Sequence, residues 1–130
     1  TIVEPNDKDR IKPCTAYLAP SNYHLLIEPE FHFALSSGEP VNHSRPSIDL
    51  SFASAAFAYR ENLTGIILSG ANKDGALGLK AVADFGGTTI VQDPNDCQIR
   101  TMTESAIKAA RVDHVLNTDQ IIAFLANMRG

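Results

Sequence analysis

The second half of the chain alternates between short apolar runs and helical patterns, and this alternation restricts the fold more than any other feature. Three strands are each followed by a helix, the strands at 63–68, 87–92 and 112–116 and the helices at 75–85, 102–110 and 118–128. The run Ile66-Ile67-Leu68 is apolar without polar alternation, which is typical of parallel strands covered on both faces. The sequence therefore predicts an α/β fold, with a parallel sheet between two layers of helices in a Rossmann-like three-layer arrangement.

The first half of the chain has a different pattern. Short strands are predicted at 15–18, 24–27 and 31–35, and the last two form a β-hairpin near the N-terminal end. A helix then begins near Pro46, because apolar residues recur at helical spacing on one face: Ile48, Phe52, Ala55, Ala56 and Tyr59. We see no internal repeat or linker, so the 130 residues are expected to form one domain.

Two helix starts carry capping patterns. Thr101-Met-Thr-Glu104 fits a capping box, in which the hydroxyl and the carboxylate each bond a free amide of the first turn. Thr118 is a suitable cap for the last helix. The apolar residues of that helix predict one inner face, formed by Ile121, Ile122, Leu125 and Met128.

Composition excludes several classes of protein. The net charge is −4 and there is no cluster of Lys and Arg, which argues against a nucleic-acid partner. No apolar stretch is long enough for insertion into a membrane, and no signal peptide opens the chain. Cys14 and Cys97 lie far apart with no framework spacing, so we expect reduced thiols and a cytoplasmic location.

The loop 69–75 is the first candidate for a site, since parallel sheets carry functional groups beyond the carboxyl ends of their strands. It contains Asp74 between Lys73 and Gly75. A phosphate-binding loop requires a lysine after its last glycine and a G-x-G spacing marks dinucleotide sites, and neither pattern is present. Nucleotide binding is therefore not favoured, and no cofactor is expected.

Two interpretations of Asp74 remain open on the residues alone. Aspartate is a favoured N-cap, so Asp74 would cap the helix 75–85, and an asparagine would then serve equally well. Alternatively, Asp74 is the carboxylate of a Ser-His-Asp triad that orients a histidine. No G-x-S-x-G elbow is present, and the four histidines show no metal-ligand spacing, so no metal is expected either.

Several ordered motifs of the chain resemble the catalytic domain of the CheB family, the chemotaxis protein-glutamate methylesterases. The motifs that match in order and spacing are Tyr17-Leu-Ala-Pro20, His24-Leu25, Arg45-Pro-Ser-Ile-Asp49, Ser54-Ala-Ala56 and Gly65-Ile-Ile-Leu-Ser-Gly-Ala-Asn-Lys-Asp-Gly75. The resemblance covers essentially the whole chain. Ala71 stands where the chemotaxis members usually carry Met, and here the chain looks more like the family's stand-alone relatives.

The resemblance implies a serine esterase that removes methyl groups from glutamyl methyl esters on the cytoplasmic helices of chemoreceptors and deamidates some glutamines. Asp74 matches the aspartate of the family's triad. The family's serine and histidine precede the region that matches this chain, which begins with Thr1 rather than Met. We therefore expect residues 1–130 to be the C-terminal portion of a methylesterase domain, with an upstream segment and, in some members, a receiver domain. The alternative is a non-catalytic binding or regulatory module of the same fold that lacks a complete triad.

Five further residues are candidates for the substrate crevice or for stabilising an oxyanion. The backbone amides of Ala71 and Asn72, in the same loop as Gly70, would lie near a developing negative charge. Arg45 precedes a helix and would bind a substrate carboxylate as a fork or pair structurally with its neighbours. Met102 begins a helix at the second loop, where its alternative role is core packing.

Overall fold

A computed structural model describes residues 2–128 as an α/β domain. The elements in chain order are β1 (Ile2–Val3), β2 (Ala16–Tyr17), β3 (His24–Ile27), β4 (Phe33–Ser36), α1 (Ile48–Tyr59), β5 (Thr64–Ile67), α2 (Ala76–Asp84), β6 (Thr88–Gln92), α3 (Thr101–Ala109), β7 (His114–Leu116) and α4 (Thr118–Ala126). Short 3-10 turns follow α1 and β6.

The main sheet is parallel and has the order β5-β6-β7. Gly65 pairs with Thr89 across the first two strands, and Val91 pairs with Val115 across the second two. Each strand is followed by a helix, so consecutive strands run in the same direction and their carboxyl ends meet at one edge. The predicted α/β class and parallel sheet with flanking helices are confirmed.

The predicted hairpin is also confirmed, with a shorter second strand. β3 and β4 are antiparallel, and Leu25 lies opposite Leu35. The second strand begins at Phe33 rather than at 31, because Phe31 closes the turn: its φ is 65° and its amide donates to Glu28 O. β1 and β2 form a short parallel pair. The predicted strand at 15–18 corresponds to β2, whereas β1 was not predicted.

The core lies between the main sheet and helices α2 and α3. Its fully buried centre consists of Ile67, Leu79, Val91 and Ala106, with Ile48, Phe52, Met102, Ala110 and Val112 packed around it. Helix α1 packs on α2 at very short range, because a Cβ atom at Gly78 would lie only 3.0 Å from the Cα of Asp49. Both residues belong to the first turns of their helices, so this contact brings two helix N-termini together.

Both predicted caps are wrong by one residue. Helix α3 includes Thr101 as its first residue, so Arg100 is the N-cap and no side chain caps the first turn. Helix α4 is capped by Asn117, whose side chain forms a capping box with Gln120. Thr118 is already helical, and its hydroxyl donates to Asp96 instead.

The predicted inner face of α4 is largely exposed within residues 2–128. Ile121 is buried, but Ile122 is 59% exposed and Met128 is 50% exposed. Helix α4 packs mainly on β7, the outer strand of the sheet, which is too short to cover a full helix face. This end of the domain is therefore thinly packed compared with the region around α2.

Candidate active site

Asp74 lies in the loop between β5 and α2 and is only 2% exposed. Its carboxylate accepts hydrogen bonds from the backbone N of Ile48 at 2.5 Å, from the backbone N of Asp49 at 3.1 Å and from Oγ of Ser47 at 2.8 Å. The two amides are the first of helix α1, which have no partner inside the helix and favour an anion. Asp74 therefore caps α1, not the helix that follows it, and the expected cap of α2 by Asp74 is wrong.

Helix α2 is capped by a side chain of α1. Gly75 holds the N-cap position with a φ of 106°, and it has no side chain to offer. Oδ1 of Asp49 accepts from the backbone N of Gly75 and from that of Gly78, both at 2.8 Å. Asp49 and Asp74 thus form a reciprocal cap: Asp74 bonds the start of α1, which contains Asp49, and Asp49 bonds the start of α2, which follows Asp74.

Asn42 joins the two carboxylates of the reciprocal cap. Its Nδ2 donates to Oδ2 of Asp49 at 2.8 Å and to Oδ1 of Asp74 at 3.3 Å. Neither carboxylate forms an ion pair with any residue in the described range 2–128. Their buried charges are therefore satisfied by backbone amides, a hydroxyl and an amide side chain rather than by a cation.

The two oxygens of Asp74 are unequally occupied. Oδ1 accepts from Ser47, Asp49 and Asn42, whereas Oδ2 accepts only from Ile48. A carboxylate offers about four lone-pair sites, about two on each oxygen, so Oδ2 retains capacity for one more donor. An additional N–H group would be accepted at Oδ2, while the four existing hydrogen bonds hold the side chain in place.

Among the described residues, Ser47 bonds this carboxylate, but no histidine does. The backbone N of Ser47 donates to Nδ1 of His24 at 3.2 Å, so Nδ1 must be the unprotonated nitrogen. Nε2 then carries the proton and donates to Glu39 O at 2.7 Å. His24 is 1% exposed with both nitrogens bonded to backbone, so it supports the start of α1 and is not placed as a base.

Asn72 fixes the loop that carries Asp74. Its Oδ1 accepts from the backbone N of Asp74 at 2.8 Å, and its Nδ2 donates to Oγ of Ser44 at 3.2 Å. Beside this loop lies an open cavity of about 390 Å³ at the carboxyl edge of the sheet. Its lining consists of Asn42, His43, Ala71, Asn72, Lys73 and Thr101.

Gly70 and Met102 form the base of the same loop. The backbone N of Met102 donates to Gly70 O at 3.1 Å, and a Cβ at Gly70 would lie 2.7 Å from Cε of Met102. Met102 also packs against the core, as its alternative role predicted. Arg45 pairs structurally with its neighbours, which was its alternative role. Its Nη1 donates to the backbone oxygens of Ser37 and Gly38 at 3.0 and 3.2 Å.

A second polar network supports the start of the loop. The backbone N of Ser69 donates to Oε1 of Gln92 at 3.0 Å, and Nε2 of Gln92 donates to Oδ2 of Asp96 at 3.2 Å. The hydroxyl and the backbone N of Thr118 donate to the same oxygen at 2.7 and 2.9 Å. These hydrogen bonds lower the pKa of Asp96 below its ordinary value of 3.8, and the bond from the Thr118 hydroxyl has the largest effect.

Sequence reasoning missed the residues that hold Asp74. Asp49 and Ser47 entered it only as parts of the matched motif 45–49, and Asn42 did not enter it at all. An acidic residue in the first turn of a helix, such as Asp49, is a signal for capping, but it indicates a cap of its own helix. Only the packing of α1 on α2 shows that Asp49 bonds a different helix.

The described residues form neither a metal-binding cluster nor a helix able to span a membrane. Within 2–128, no group of three or more His, Cys, Asp or Glu side chains is arranged to hold a metal ion. None of the helices in this range combines the length and apolar character that a bilayer crossing requires.

Comparison with known proteins places these motifs in a family. The family model described as CheB methylesterase matches residues 1–125. A putative protein-glutamate methylesterase/protein-glutamine glutaminase of Leptospira interrogans is 50% identical over 120 residues, which are 92% of this chain and 62% of that protein. A protein-glutamate methylesterase/protein-glutamine glutaminase of Syntrophus aciditrophicus is 33% identical, over 98% of this chain and 38% of that protein.

A solved structure shares the fold. The crystal structure of the Thermotoga maritima CheB methylesterase catalytic domain matches with a TM-score of 0.87 and 32% identity, over 94% of this chain and 66% of that one. The chain thus spans less than two thirds of the length of the curated relatives described above. On the match over residues 1–125 and the shared fold, the chain belongs to the CheB methylesterase family.

Proposed function

We propose that this chain supplies the aspartate of a Ser-His-Asp esterase that hydrolyses glutamyl methyl esters on the cytoplasmic helices of chemoreceptors. The observation that carries the proposal is the buried carboxylate of Asp74, held by four donors with one acceptor site left at Oδ2. Relatives named for both protein-glutamate methylesterase and protein-glutamine glutaminase activity support ester hydrolysis and glutamine deamidation as its chemistry.

In this proposal Asp74 orients the histidine. Oδ2 accepts the N–H of one ring nitrogen, so the other nitrogen faces the serine hydroxyl and takes its proton during attack on the ester carbonyl. The negative charge of Asp74 then offsets the positive charge that forms on the ring. Because the donors to Asp74 come from a helix N-terminus and a buried serine, the carboxylate is already in place before substrate binds.

The proposal assigns the serine and the histidine to a part of the protein that precedes the matched region. It rests on the difference in length from the relatives and on the geometry of residues 2–128, in which His24 bonds only backbone groups. The cavity beside Ala71 and Asn72 is then the part of the substrate crevice that this chain contributes. A receiver domain that regulates access is a further expectation of the family resemblance.

A non-catalytic module of the same fold is the second candidate. The observation that favours it is the reciprocal cap, because the carboxylate of Asp74 already has a complete structural role. In that case the protein would bind a receptor helix through the same crevice without cleaving an ester.

The experiment that separates the two candidates measures methanol release from methylated chemoreceptors by the full-length protein. Under the proposal, Asp74→Asn lowers the rate by about 10⁴-fold, as expected for loss of the orienting charge in a triad. Asp113→Asn is the control, because Asp113 bonds the backbone of Thr89 in a similar way but follows α3 and precedes β7. A wild-type rate in folded Asp74→Asn protein would refute the catalytic assignment, and a wild-type protein that binds receptor without releasing methanol would establish the module.

A further inference from the structure

Asp49 is a second buried carboxylate that the proposed chemistry does not use. It is 8% exposed, and its two oxygens accept from three donors. A buried carboxylate with no cation is costly, so its presence calls for a structural reason.

The contacts of Asp49 lie on both sides of Asp74. Along the chain, its Oδ1 holds the backbone N of Gly75, the residue directly after Asp74. Across space, its Oδ2 holds Nδ2 of Asn42, which also donates to Oδ1 of Asp74. Asp49 thus restrains both the backbone next to Asp74 and one donor to the Asp74 carboxylate.

The backbone of Asp49 acts on Asp74 directly. Its own N–H donates to Oδ1 of Asp74 at 3.1 Å, while its side chain reaches the loop that carries Asp74. The loop and the start of α1 are therefore tied in both directions. Gly75, whose amide forms one of these ties, has a φ of 106°, a conformation that a glycine can leave easily when it is not held.

We propose that Asp49 is a positioning residue for Asp74, which sets the place and rotation of the triad carboxylate through Gly75 and Asn42. The proposal rests on the proposed function for its effect on rate, but its geometric part concerns only residues 42–78. Asp49 touches no reacting atom. Its removal displaces Oδ2 of Asp74 relative to the histidine, so proton transfer slows while substrate binding is retained.

The test compares Asp49→Ala and Asp49→Asn in the full-length protein. For Asp49→Ala we expect kcat for ester hydrolysis to fall about 10- to 100-fold with KM little changed, because a shift of about 1 Å in a catalytic group has this effect. The acid limb of the pH profile of kcat/KM moves to lower pH, because the displaced Asp74 carboxylate stabilises the protonated histidine less. Asp49→Asn keeps one acceptor oxygen for Gly75 and Gly78, so its kcat falls between wild type and Asp49→Ala.

The control is Asp113→Asn, which alters a carboxylate contact to the backbone N of Thr89. This contact involves none of the residues that bond Asp74. It should lower thermal stability without changing kcat or the pH profile. Equal losses of kcat in Asp113→Asn and Asp49→Asn would overturn the proposal, since the effect would then follow general stability. If Asp49→Ala does not fold, the kcat and pH profile of Asp49→Asn are compared with those of wild type and Asp113→Asn.

A crystal structure of the Asp49 variant provides a readout that does not depend on activity. We expect Oδ2 of Asp74 to leave hydrogen-bond distance of the Ile48 amide or the side chain to rotate. An Asp74 carboxylate that keeps all its bonds in the variant overturns the positioning role even if the wild-type enzyme is active. A wild-type protein that hydrolyses no ester overturns the proposed function alone, and the variant structure still decides whether Asp49 positions Asp74.

Discussion

All four hydrogen bonds to the Asp74 carboxylate come from residues 42 to 49, although these residues are distant from it in sequence. The donors satisfy a buried carboxylate that has no cation beside it in the described part of the chain. A single side chain thereby joins a loop to a helix and presents one free acceptor site. At this scale, structural and catalytic roles are compatible, because Oδ2 accepts only the Ile48 amide and keeps capacity for one more donor.

The substitution Asp74→Asn tests the structural role. An asparagine offers one acceptor oxygen, and its Nδ2 group would face backbone donors, so at least one buried N–H loses its partner. We expect the free energy of unfolding to fall by about 1–3 kcal/mol, measured by urea denaturation. If Asp74 only capped the helix that follows it, asparagine would serve equally well and stability would change little.

The control for this prediction is Asp84→Asn. Asp84 is exposed and pairs with Lys80 one helical turn away, an interaction worth only about 0.5 kcal/mol. If both variants lost the same small amount of stability, the hydrogen bonds to Asp74 would contribute little to the fold.

Helices in this domain are joined at their ends by side chains of other elements. The reciprocal cap ties α1 to α2, and Asp96 from the turn after β6 bonds the first residue of α4. Through Gln92 the second tie also reaches Ser69, where the loop of Asp74 begins. The loop is thus supported at both of its ends by hydrogen bonds between elements.

Acid should weaken the attachment of α4 through Asp96. The hydroxyl and amide of Thr118 and the amide of Gln92 lower the pKa of Asp96 in the folded protein below 3.8. A carboxylate with a lowered pKa contributes stability at pH values above its unfolded pKa and loses that stability as the pH falls through the folded pKa. The contribution is therefore present above about pH 4 and disappears in more acidic solution.

Urea denaturation at several pH values measures this effect. Asp96→Asn should reduce the dependence of stability on pH below about pH 4, because the titrating group is gone. Thr118→Ala should produce part of the same change, since it removes the strongest donor. Fully additive effects in the double variant would show that the two residues do not act through one hydrogen-bond network.

Burial is unevenly distributed over residues 2–128. The region of α2, β5 and β6 contains side chains with no exposed surface, including Leu79, Ile90 and Val91. Helix α4 buries Ile121, whereas Ile122 and Leu125 are 59% and 48% exposed. Segments with few buried apolar contacts open at lower free energy than the core.

Amide hydrogen exchange should therefore show two levels of protection, with α4 below β6. Ile121→Ala should lower the protection of α4 and leave that of β6 nearly unchanged. Leu79→Ala should instead lower protection throughout, with a loss of about 2–5 kcal/mol in the free energy of unfolding. An equal loss of protection in β6 after Ile121→Ala would contradict the two-level description.

Much of this architecture was predictable because its signals are local. The three strand–helix units, the hairpin and the loop of Asp74 follow from apolar period, turn residues and the direction of parallel strands. The ends of elements were less predictable: Thr101 and Thr118 proved to be inside helices rather than at their caps. A cap depends on backbone angles at one residue, which the apolar pattern does not specify.

The sequence by itself determined that Asp74 lies at the carboxyl edge of a parallel sheet, and its motifs indicated the family. Only the tertiary structure decided what holds the carboxylate. The donors from Asn42, Ser47, Ile48 and Asp49 reach it because Gly78 lets α1 approach α2 closely. Hydrogen bonds between residues more than 20 positions apart depend on packing, and no local pattern in the chain encodes which helix a carboxylate will cap.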